Sequence, residues 1–188
     1  MAKYKITKKN GLRIAVSGKS GCGNTTVSSL LAEKLGIKLI NFTFRQLAEE
    51  KELTLSQVIE NAKTDDSYDI EVDTRQVSLA EAESCVLGSR LAIWMLKEAD
   101  LKVYLIADDS VRAKRVFKRE GGNLSQIEDF TAMRDKEDSR RYKKLYGIDN
   151  DKYDFADLKI NTDLYDPEQI TKMIIDELLK RNLAEKTD

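Results

Sequence analysis

The stretch that most constrains the fold is a glycine-rich segment between an apolar run and an amphipathic run. The segment reads Gly18-Lys19-Ser20-Gly21-Cys22-Gly23-Asn24-Thr25-Thr26. The apolar run, residues 12–17, comes directly before it, and residues 27–35 after it place their apolar side chains at the spacing of one helix face. This order predicts a strand, a tight loop and a helix.

Such a loop has the features of a phosphate site. Glycines allow backbone conformations that are closed to other residues, so that successive N–H groups can converge on an anion. The N-terminus of the following helix adds a partial positive charge. We therefore predict that residues 18–26 bind the phosphates of a nucleotide. The alternative is a glycine-rich turn that holds no ligand.

The spacing nearly matches the P-loop pattern G-x-x-x-x-G-K-[ST]. Gly18, Gly23 and Thr25 fit the pattern, and the Thr25 hydroxyl is a candidate ligand for Mg²⁺. Asn24 stands where the pattern has lysine, so it offers a hydrogen bond but no charge. Lys19, inside the loop, either replaces that charge or points to solvent.

Strands and helices alternate along the chain, which predicts an α/β protein with a parallel sheet of about five strands and helices on both faces. The predicted strands are residues 12–17, 37–40, 85–87, 101–107 and 158–161. The predicted helices are residues 25–35, 44–52, 56–62, 68–84, 91–99, 110–120, 124–146 and a last one that begins at Asp166-Pro167. Residues 1–11 are polar and basic, and we expect them to be loose at their start. All of residues 1–188 fit one domain.

Composition excludes several classes of chemistry. The chain has no histidine, which rules out Ser–His–Asp catalysis and histidine-ligated metals. Its 32 basic and 33 acidic residues give a net charge of −1, so nothing favours nucleic acid or a membrane surface as a partner. Two separated cysteines, Cys22 and Cys85, and no apolar run of membrane-spanning length indicate a reduced, cytoplasmic protein.

Charged residues lie where a parallel sheet places its ligands, beyond the carboxyl ends of the strands. Arg45 and Arg90 follow the second and third predicted strands, and a guanidinium can hold a phosphate with two hydrogen bonds. Arg134, Asp138 and Arg141 share one helix face, where the carboxylate could hold both arginines. For both sets the alternative is an ordinary ion pair at the surface. For Arg134, Asp138 and Arg141, spacing alone favours that alternative.

Two further sets are less specific. Arg112, Arg115 and Arg119 lie on one helix face before Gly121-Gly122, and could form a basic flap over a polyphosphate or a solvated surface. Asp69 and Asp73 are four residues apart on a predicted helix, where like charges are mildly destabilising. That cost suggests a ligand, although a solvated acidic face explains the pattern equally.

Together these stretches resemble the nucleoside monophosphate kinases, and more narrowly the short, archaeal type of cytidylate kinase. The resemblance extends from residue 12 to about residue 179. The matching stretches are Gly18-x-x-Gly21-x-Gly23-x-Thr25-Thr26, Phe44-Arg45-x-Leu47-Ala48, Asp69-x-x-x-Asp73-x-Arg75-Gln76, Arg90-Leu91-Ala92-x-Trp94-Met95-Leu96-Lys97, Arg134-x-x-x-Asp138-x-x-Arg141 and Arg141-Tyr142-Lys143-x-x-Tyr146-Gly147-Ile148-Asp149.

The resemblance implies a P-loop kinase that transfers the terminal phosphoryl group of ATP to CMP, with dCMP as a further acceptor to consider and Mg²⁺ on Thr25. It implies a monophosphate-binding region at about residues 42–84 and a mobile helical lid at about residues 115–145. The residues that it places on the acceptor are Arg45, Asp73, Arg75 and Arg90. The residues that it places around the reacting phosphates are Arg119, Arg134, Asp138 and Arg141.

One departure keeps other functions open. The family usually has an acidic residue and a glycine before the arginine at position 90, and this chain has Gly88 and Ser89. A kinase with another acceptor, such as AMP or a small metabolite, remains an alternative. A nucleotide-binding protein without catalysis is the second alternative.

Overall fold

The computed structural model describes residues 4–187, and its centre is a five-stranded parallel sheet. The strands of the protein are β1 (Tyr4–Ile6), β2 (Arg13–Gly18), β3 (Lys38–Ile40), β4 (Cys85–Gly88), β5 (Leu101–Ile106), β6 (Leu158–Asn161) and β7 (Ala184–Lys186). The parallel sheet has the order β3-β4-β2-β5-β6. All five predicted strands are therefore confirmed, and β2, which precedes the glycine loop, lies in the middle.

The helices agree with the predicted pattern. They are α1 (Asn24–Leu35), α2 (Phe44–Glu50), α3 (Leu55–Asn61), α4 (Ser67–Ala82), α5 (Ala92–Met95), α6 (Asp109–Glu120), α7 (Leu124–Tyr146) and α8 (Pro167–Lys180). Capping residues set several of their ends: Thr43, Thr54 and Asp166 form capping boxes, and Gly36 and Gly147 end α1 and α7 in the left-handed conformation.

One helix is shorter than predicted. Residues 91–99 were expected to be helical, but α5 covers only Ala92–Met95, because the backbone leaves the helical region at Leu96, where ψ is 81°. Leu96 is fully buried, so its side chain serves the core rather than a further helical turn.

Helices cover both faces of the sheet. On one face α1 and α8 pack on alternate residues of β2 and β5, among them Ile14 and Val103. On the other face α4 and α5 pack around Ala15, Leu87 and Tyr104. No helix among residues 4–187 is long and apolar enough to cross a membrane.

The segment between β3 and β4 forms a small unit with an apolar cluster of its own. Phe42, Leu47, Val58 and Val72 bring α2, α3 and α4 together. The predicted monophosphate-binding region, residues 42–84, corresponds to this unit. The predicted lid corresponds to α6 and α7, which pack against each other, and its mobility stays a prediction.

A second, two-stranded sheet was not predicted. β1 pairs antiparallel with β7, with Tyr4 opposite Lys186 and Ile6 opposite Ala184. The expectation of a loose start to residues 1–11 is therefore wrong for residues 4–6, while residues 1–3 lie outside the described part of the chain. The pairing joins positions almost 180 residues apart, and neither strand shows a long apolar pattern.

Candidate active site

The main cleft lies beyond the carboxyl ends of β2, β3 and β4, where a parallel sheet is expected to bind its ligand. It has a volume of about 900 Å³. Its walls are the glycine loop, residues 41–44, the inner face of α4, residues 88–91 and the lid helices. Seven of the nine predicted loop residues line it, and the exceptions are Gly18, which borders a small cavity beneath the loop, and Cys22, which is buried.

The path of the loop depends on contacts with α6. Gly21 has a φ of +83°, and a Cβ atom there would lie 2.8 Å from the Arg112 carbonyl oxygen. Only glycine fits at that position. The side of the loop that faces away from the cleft therefore packs against α6, and the side that faces the cleft is left open to a ligand.

Asn24 lines the cleft, but its side-chain amide hydrogen-bonds back to the loop. Its Nδ2 atom donates to the Gly18 carbonyl oxygen at 2.7 Å, and its buried Oδ1 atom has no partner. The amide therefore braces the loop and carries no charge towards a phosphate. The hydrogen bond explains how the loop closes without the usual lysine.

Lys19 does lie at the edge of the cleft, where Nζ is 2.9 Å from a carboxylate oxygen of Asp151. Burial is the largest single influence on Lys19 and would lower its pKa, but the hydrogen bond to Asp151 and the charges of Asp151 and Asp135 together raise the pKa. A permanent positive charge therefore stands beside the loop, already shared with one carboxylate.

Arg112 and Arg115 support the loop rather than forming a flap. Arg112 is fully buried and donates to the Ser20 carbonyl oxygen at 3.0 Å and to an Asp135 carboxylate oxygen at 2.6 Å. Arg115 donates to the carbonyl oxygens of Gly21 and Thr162. The basic face predicted on α6 is thus mostly used inside the protein. Arg115 and Arg119 both line the cleft, and Arg119 also pairs with Glu120.

The predicted arginine–aspartate–arginine set is present with a different pairing. Asp138, which is 5 % exposed, accepts hydrogen bonds from Arg90 and, at 3.0 Å, from Arg141. Arg134 lines the cleft but forms no ion pair with Asp138 in the described structure. Burial, followed by the nearby Arg90, lowers the pKa of Arg134. The carboxylate therefore joins the lid helix to the arginine after β4.

The inner face of α4 presents a row of hydrogen-bond acceptors. Asp69, Asp73 and Gln76 all line the cleft. Asp69 lies 3.4 Å from Arg141 Nε, and Asp73 accepts a 2.8 Å hydrogen bond from the Tyr146 hydroxyl. Burial raises the pKa of Asp73 to about 6, although the bond from Tyr146 opposes the shift.

Two predicted acceptor residues lie outside the cleft. Arg45 is exposed on α2, and Arg75 is exposed on α4, where it pairs with Glu50 at 3.3 Å. The helical repeat of about 3.6 residues per turn explains this, because it turns Phe44 and Gln76 towards the cleft and Arg45 and Arg75 away from it. Neither arginine lines the cleft here, and their contact with the acceptor stays a prediction.

Asn41, Phe42, Thr43 and Ser89 also line the cleft, and the sequence marked them only by their position after a predicted strand. Phe130 and Met133 line it as well, and they were not singled out from the sequence. A second cavity of about 430 Å³ lies on the other side of the loop, between Arg115, Thr26 and residues 162–167. The position of residues 162–167 after a predicted strand was the only sequence signal for it.

Gly88 occupies the position where an acidic residue was expected. A Cβ atom there would lie 2.6 Å from Ser28 Oγ and 2.9 Å from Ser28 Cβ. The contact with Ser28 on α1 therefore leaves no room for a side chain. The same packing contact, between Gly88 and Ser28 on α1, therefore explains why position 88 carries no acidic side chain.

Comparison with known proteins agrees with this geometry. The sequence model of the cytidylate kinase-like family matches residues 13–164. The chain belongs to the cytidylate kinase-like family. It is 43 % identical over 176 residues to cytidylate kinase 2 of Borrelia garinii subsp. bavariensis, covering 92 % of this chain and 99 % of that protein. It is 40 % identical over 167 residues to the cytidylate kinase of Archaeoglobus fulgidus, covering 87 % and 93 % of the two chains.

Solved structures extend the likeness at the level of the fold. Shikimate kinase from Bacteroides thetaiotaomicron superposes with a TM-score of 0.60 at 20 % identity, covering 90 % of this chain and 98 % of that one. Deoxyadenosine kinase from M. mycoides has a TM-score of 0.57 at 16 % identity, covering 90 % and 100 %. The cytidylate kinase-like chain thus has the P-loop kinase fold that the sequence predicted.

The residues of this family member are suited to a nucleotide-bound Mg²⁺. Within residues 4–187 no group of three or more acidic, histidine or cysteine side chains could hold a metal. Mg²⁺ in kinases needs few protein ligands, because phosphate oxygens and water supply the rest. Thr25, exposed on the first turn of α1 and facing the cleft, offers one hydroxyl of the required type.

Proposed function

We propose that this protein transfers the terminal phosphoryl group of ATP to CMP, giving ADP and CDP. The observation that carries the proposal is one cleft that combines a glycine loop, five lining arginines and a separate row of acceptors, in a chain of the cytidylate kinase-like family. The two ends of the cleft suit different partners: cations and amides for phosphates, and acceptors for a base. dCMP is a second acceptor to test.

The reaction needs positioning and charge compensation more than covalent help. An oxygen of the CMP phosphate attacks the terminal phosphorus of ATP, and the bond to the ADP oxygen breaks. The CMP phosphate is already ionised, so no general base is required. The protein must bring two anionic groups together, and its contribution is therefore electrostatic.

On the donor side, the N–H groups of residues 18–26 would hold the phosphates of ATP. Thr25 would hold Mg²⁺, which when bound reduces the negative charge of the two terminal phosphates. The cavity beside residues 162–167 lies next to the loop and would take the donor base.

On the acceptor side, Arg90 and Arg141 are held at fixed angles by Asp138 and would orient the CMP phosphate. Arg134 and Arg119 line the lid side of the cleft and would approach the transferred group. Among residues 4–187 Arg134 forms no ion pair that a phosphate would have to displace, so its charge is available to a phosphate at little cost.

A coupled assay of ADP release with Mg²⁺ and ATP tests the proposal, using CMP, dCMP, UMP, AMP and GMP as acceptors. We expect CMP to be the fastest. ATP binding without ADP release on any acceptor would favour a non-catalytic nucleotide-binding protein. A preference for AMP would keep the mechanism and remove CMP as the substrate.

We also propose that the protein works in the cytoplasm, where ATP and nucleoside monophosphates are found. Both cysteines are free and buried, as expected in a reducing compartment. Fractionation of cells that carry a tagged copy checks this assignment.

A further inference from the structure

Two buried side-chain oxygens of residues on the wall of the cleft, Asn24 Oδ1 and Gln76 Oε1, have no hydrogen-bond partner within residues 4–187, and only Gln76 lies on the acceptor-rich face of α4. Gln76 is only 5 % exposed, it lines the cleft, and its Oε1 atom is buried and unpaired. From this we infer that Gln76 accepts a hydrogen bond from the exocyclic amino group of the acceptor base, and so selects CMP over UMP. The inference rests on the proposed function and names the residue that sets its base specificity.

The other two acceptors of the row are already used. Asp69 faces Arg141, and Asp73 accepts from Tyr146. Gln76 Oε1 alone of the three is left without a donor. A buried acceptor without a partner is costly to a folded protein, and folded proteins rarely leave one unmatched. A ligand that brings the missing donor explains why it is tolerated at the wall of a cleft.

The surroundings of Gln76 suit a base and not a phosphate. Asp69 and Asp73 on the same helix face would repel a phosphate, whereas Arg90 and Arg134 attract it elsewhere in the cleft. Val72, one turn before Gln76 on α4, and Phe42, which packs in the same apolar cluster as Val72, add apolar surface to this cleft. A pyrimidine ring has apolar faces and a polar edge, so it matches an apolar wall that ends in acceptors.

The chemistry of the two pyrimidines then decides the selection. Cytosine carries an amino group, a donor, where uracil carries a carbonyl oxygen, an acceptor. Gln76 Oε1 can receive the amino group of cytosine but would face the uracil oxygen as a second acceptor. A site with an unsatisfied buried acceptor rejects a ligand that lacks the matching donor.

The test replaces Gln76 with methionine, which has nearly the same shape but no comparable acceptor. We expect Gln76→Met to lower kcat/KM for CMP by about 10- to 100-fold, the usual range for one hydrogen bond to a buried group. The value for UMP should change by less than about threefold, and KM for ATP should stay the same. Ser78→Ala, on the exposed face of the same helix, is the matched control and should leave both nucleotides unaffected.

A second experiment changes the substrate, and its wild-type measurement does not depend on whether a variant folds. It uses the ribonucleoside 5′-monophosphate of 2-pyrimidinone, which keeps the ring of cytosine but lacks the amino group. The wild-type protein should use this analogue about tenfold or more less efficiently than CMP, and Gln76→Met should no longer distinguish the two.

Several results would overturn the inference. Equal losses for CMP and UMP in Gln76→Met would place the contact on the ribose or assign Gln76 to structure alone. Wild-type protein that uses CMP and the analogue equally would show that the amino group is not read. Both results leave CMP phosphorylation intact, whereas absence of any wild-type turnover of CMP would remove the proposed function and this inference together.

Discussion

Asn24 is the residue in the glycine loop that differs most from a general P-loop, and its side chain has a structural role. Its side-chain amide closes the loop by donating a hydrogen bond to the Gly18 carbonyl oxygen. The positively charged ammonium group of Lys19 lies beside Asp151. The loop therefore keeps its shape by a neutral hydrogen bond, and its charge comes from side chains around it.

We predict that Asn24→Lys keeps or raises activity. The lysine would lose the bond to Gly18 but would extend a positive charge towards the donor phosphates, in addition to that of Lys19, which is shared with Asp151. KM for ATP and kcat should be measured together with the melting temperature. A folded variant without turnover would show that this loop cannot accommodate lysine.

Gly88 provides the second prediction at this scale. We expect Gly88→Asp to lose stability and activity, because its Cβ atom would overlap Ser28. Overpacking of this kind costs about 1–3 kcal/mol. Adding Ser28→Gly should restore most of the stability, as measured by urea unfolding. Equal stability of Gly88→Asp with and without the second change would contradict the packing argument.

At the scale of elements, α7 is the part that connects the lid to the acceptor side. One helix face carries Arg134, Asp138 and Arg141, and Asp138 bonds across to Arg90 after β4. The same helix reaches α4 through Arg141 and Tyr146. These contacts bring together charged side chains of α4, of α7 and of the segment after β4 in the cleft.

We predict that Arg134→Ala and Arg141→Ala each lower kcat/KM by about 10²–10³, as expected when a contact to transition-state charge is lost. Arg140→Ala is the control: it lies on the same helix but pairs with Glu137 at the surface. Its loss should cost at most about 1 kcal/mol of stability and no activity. Normal turnover in both Arg134→Ala and Arg141→Ala would show that this face of α7 is only a solvated surface.

Arg112 joins α6, the glycine loop and α7 through buried hydrogen bonds. We expect Arg112→Met to destabilise the protein by about 3 kcal/mol, because Asp135 and the Ser20 carbonyl group lose their partner. The exposed Lys118→Met on the same helix should be nearly neutral. Calorimetric unfolding compares the two, and similar melting temperatures would argue against a structural role for Arg112.

At the scale of the whole molecule, buried acids make the stability depend on pH. Burial raises the pKa of Asp73 from 3.8 to about 6, so between these values the folded protein holds a proton that the unfolded chain has released. The free energy of unfolding should therefore fall as pH rises through this window. The contribution of Asp73 is present below pH 4 and lost above pH 6.

We predict that Asp73→Asn, which cannot ionise, equals the wild type in stability near pH 4 and exceeds it by about 1–3 kcal/mol near pH 7. The asparagine oxygen can still accept from Tyr146, so packing should be preserved. Chemical unfolding at several pH values checks this. A stability difference that is the same at all pH values would show that Asp73 ionises normally in the folded protein.

Much of this protein could be predicted from its sequence, because the decisive signals are local. Apolar runs determined the five parallel strands, and glycine spacing between strand and helix predicted the phosphate loop. Helical spacing put Arg134, Asp138 and Arg141 on one face, and the residues after each strand marked the cleft. Each of these features depends on neighbours within a few residues, where the periods of helices and strands apply directly.

Other features were decided only by tertiary structure, because they depend on which distant segments meet. Asp138 pairs with Arg90 rather than Arg134, since β4 ends beside α7. Arg45 and Arg75 point away from the cleft because the packing of α2 and α4 sets which side of each helix faces inward. β1 and β7 pair across nearly the full chain, and within residues 4–187 Gln76 Oε1 is left without a hydrogen-bond partner by contacts that no local pattern specifies.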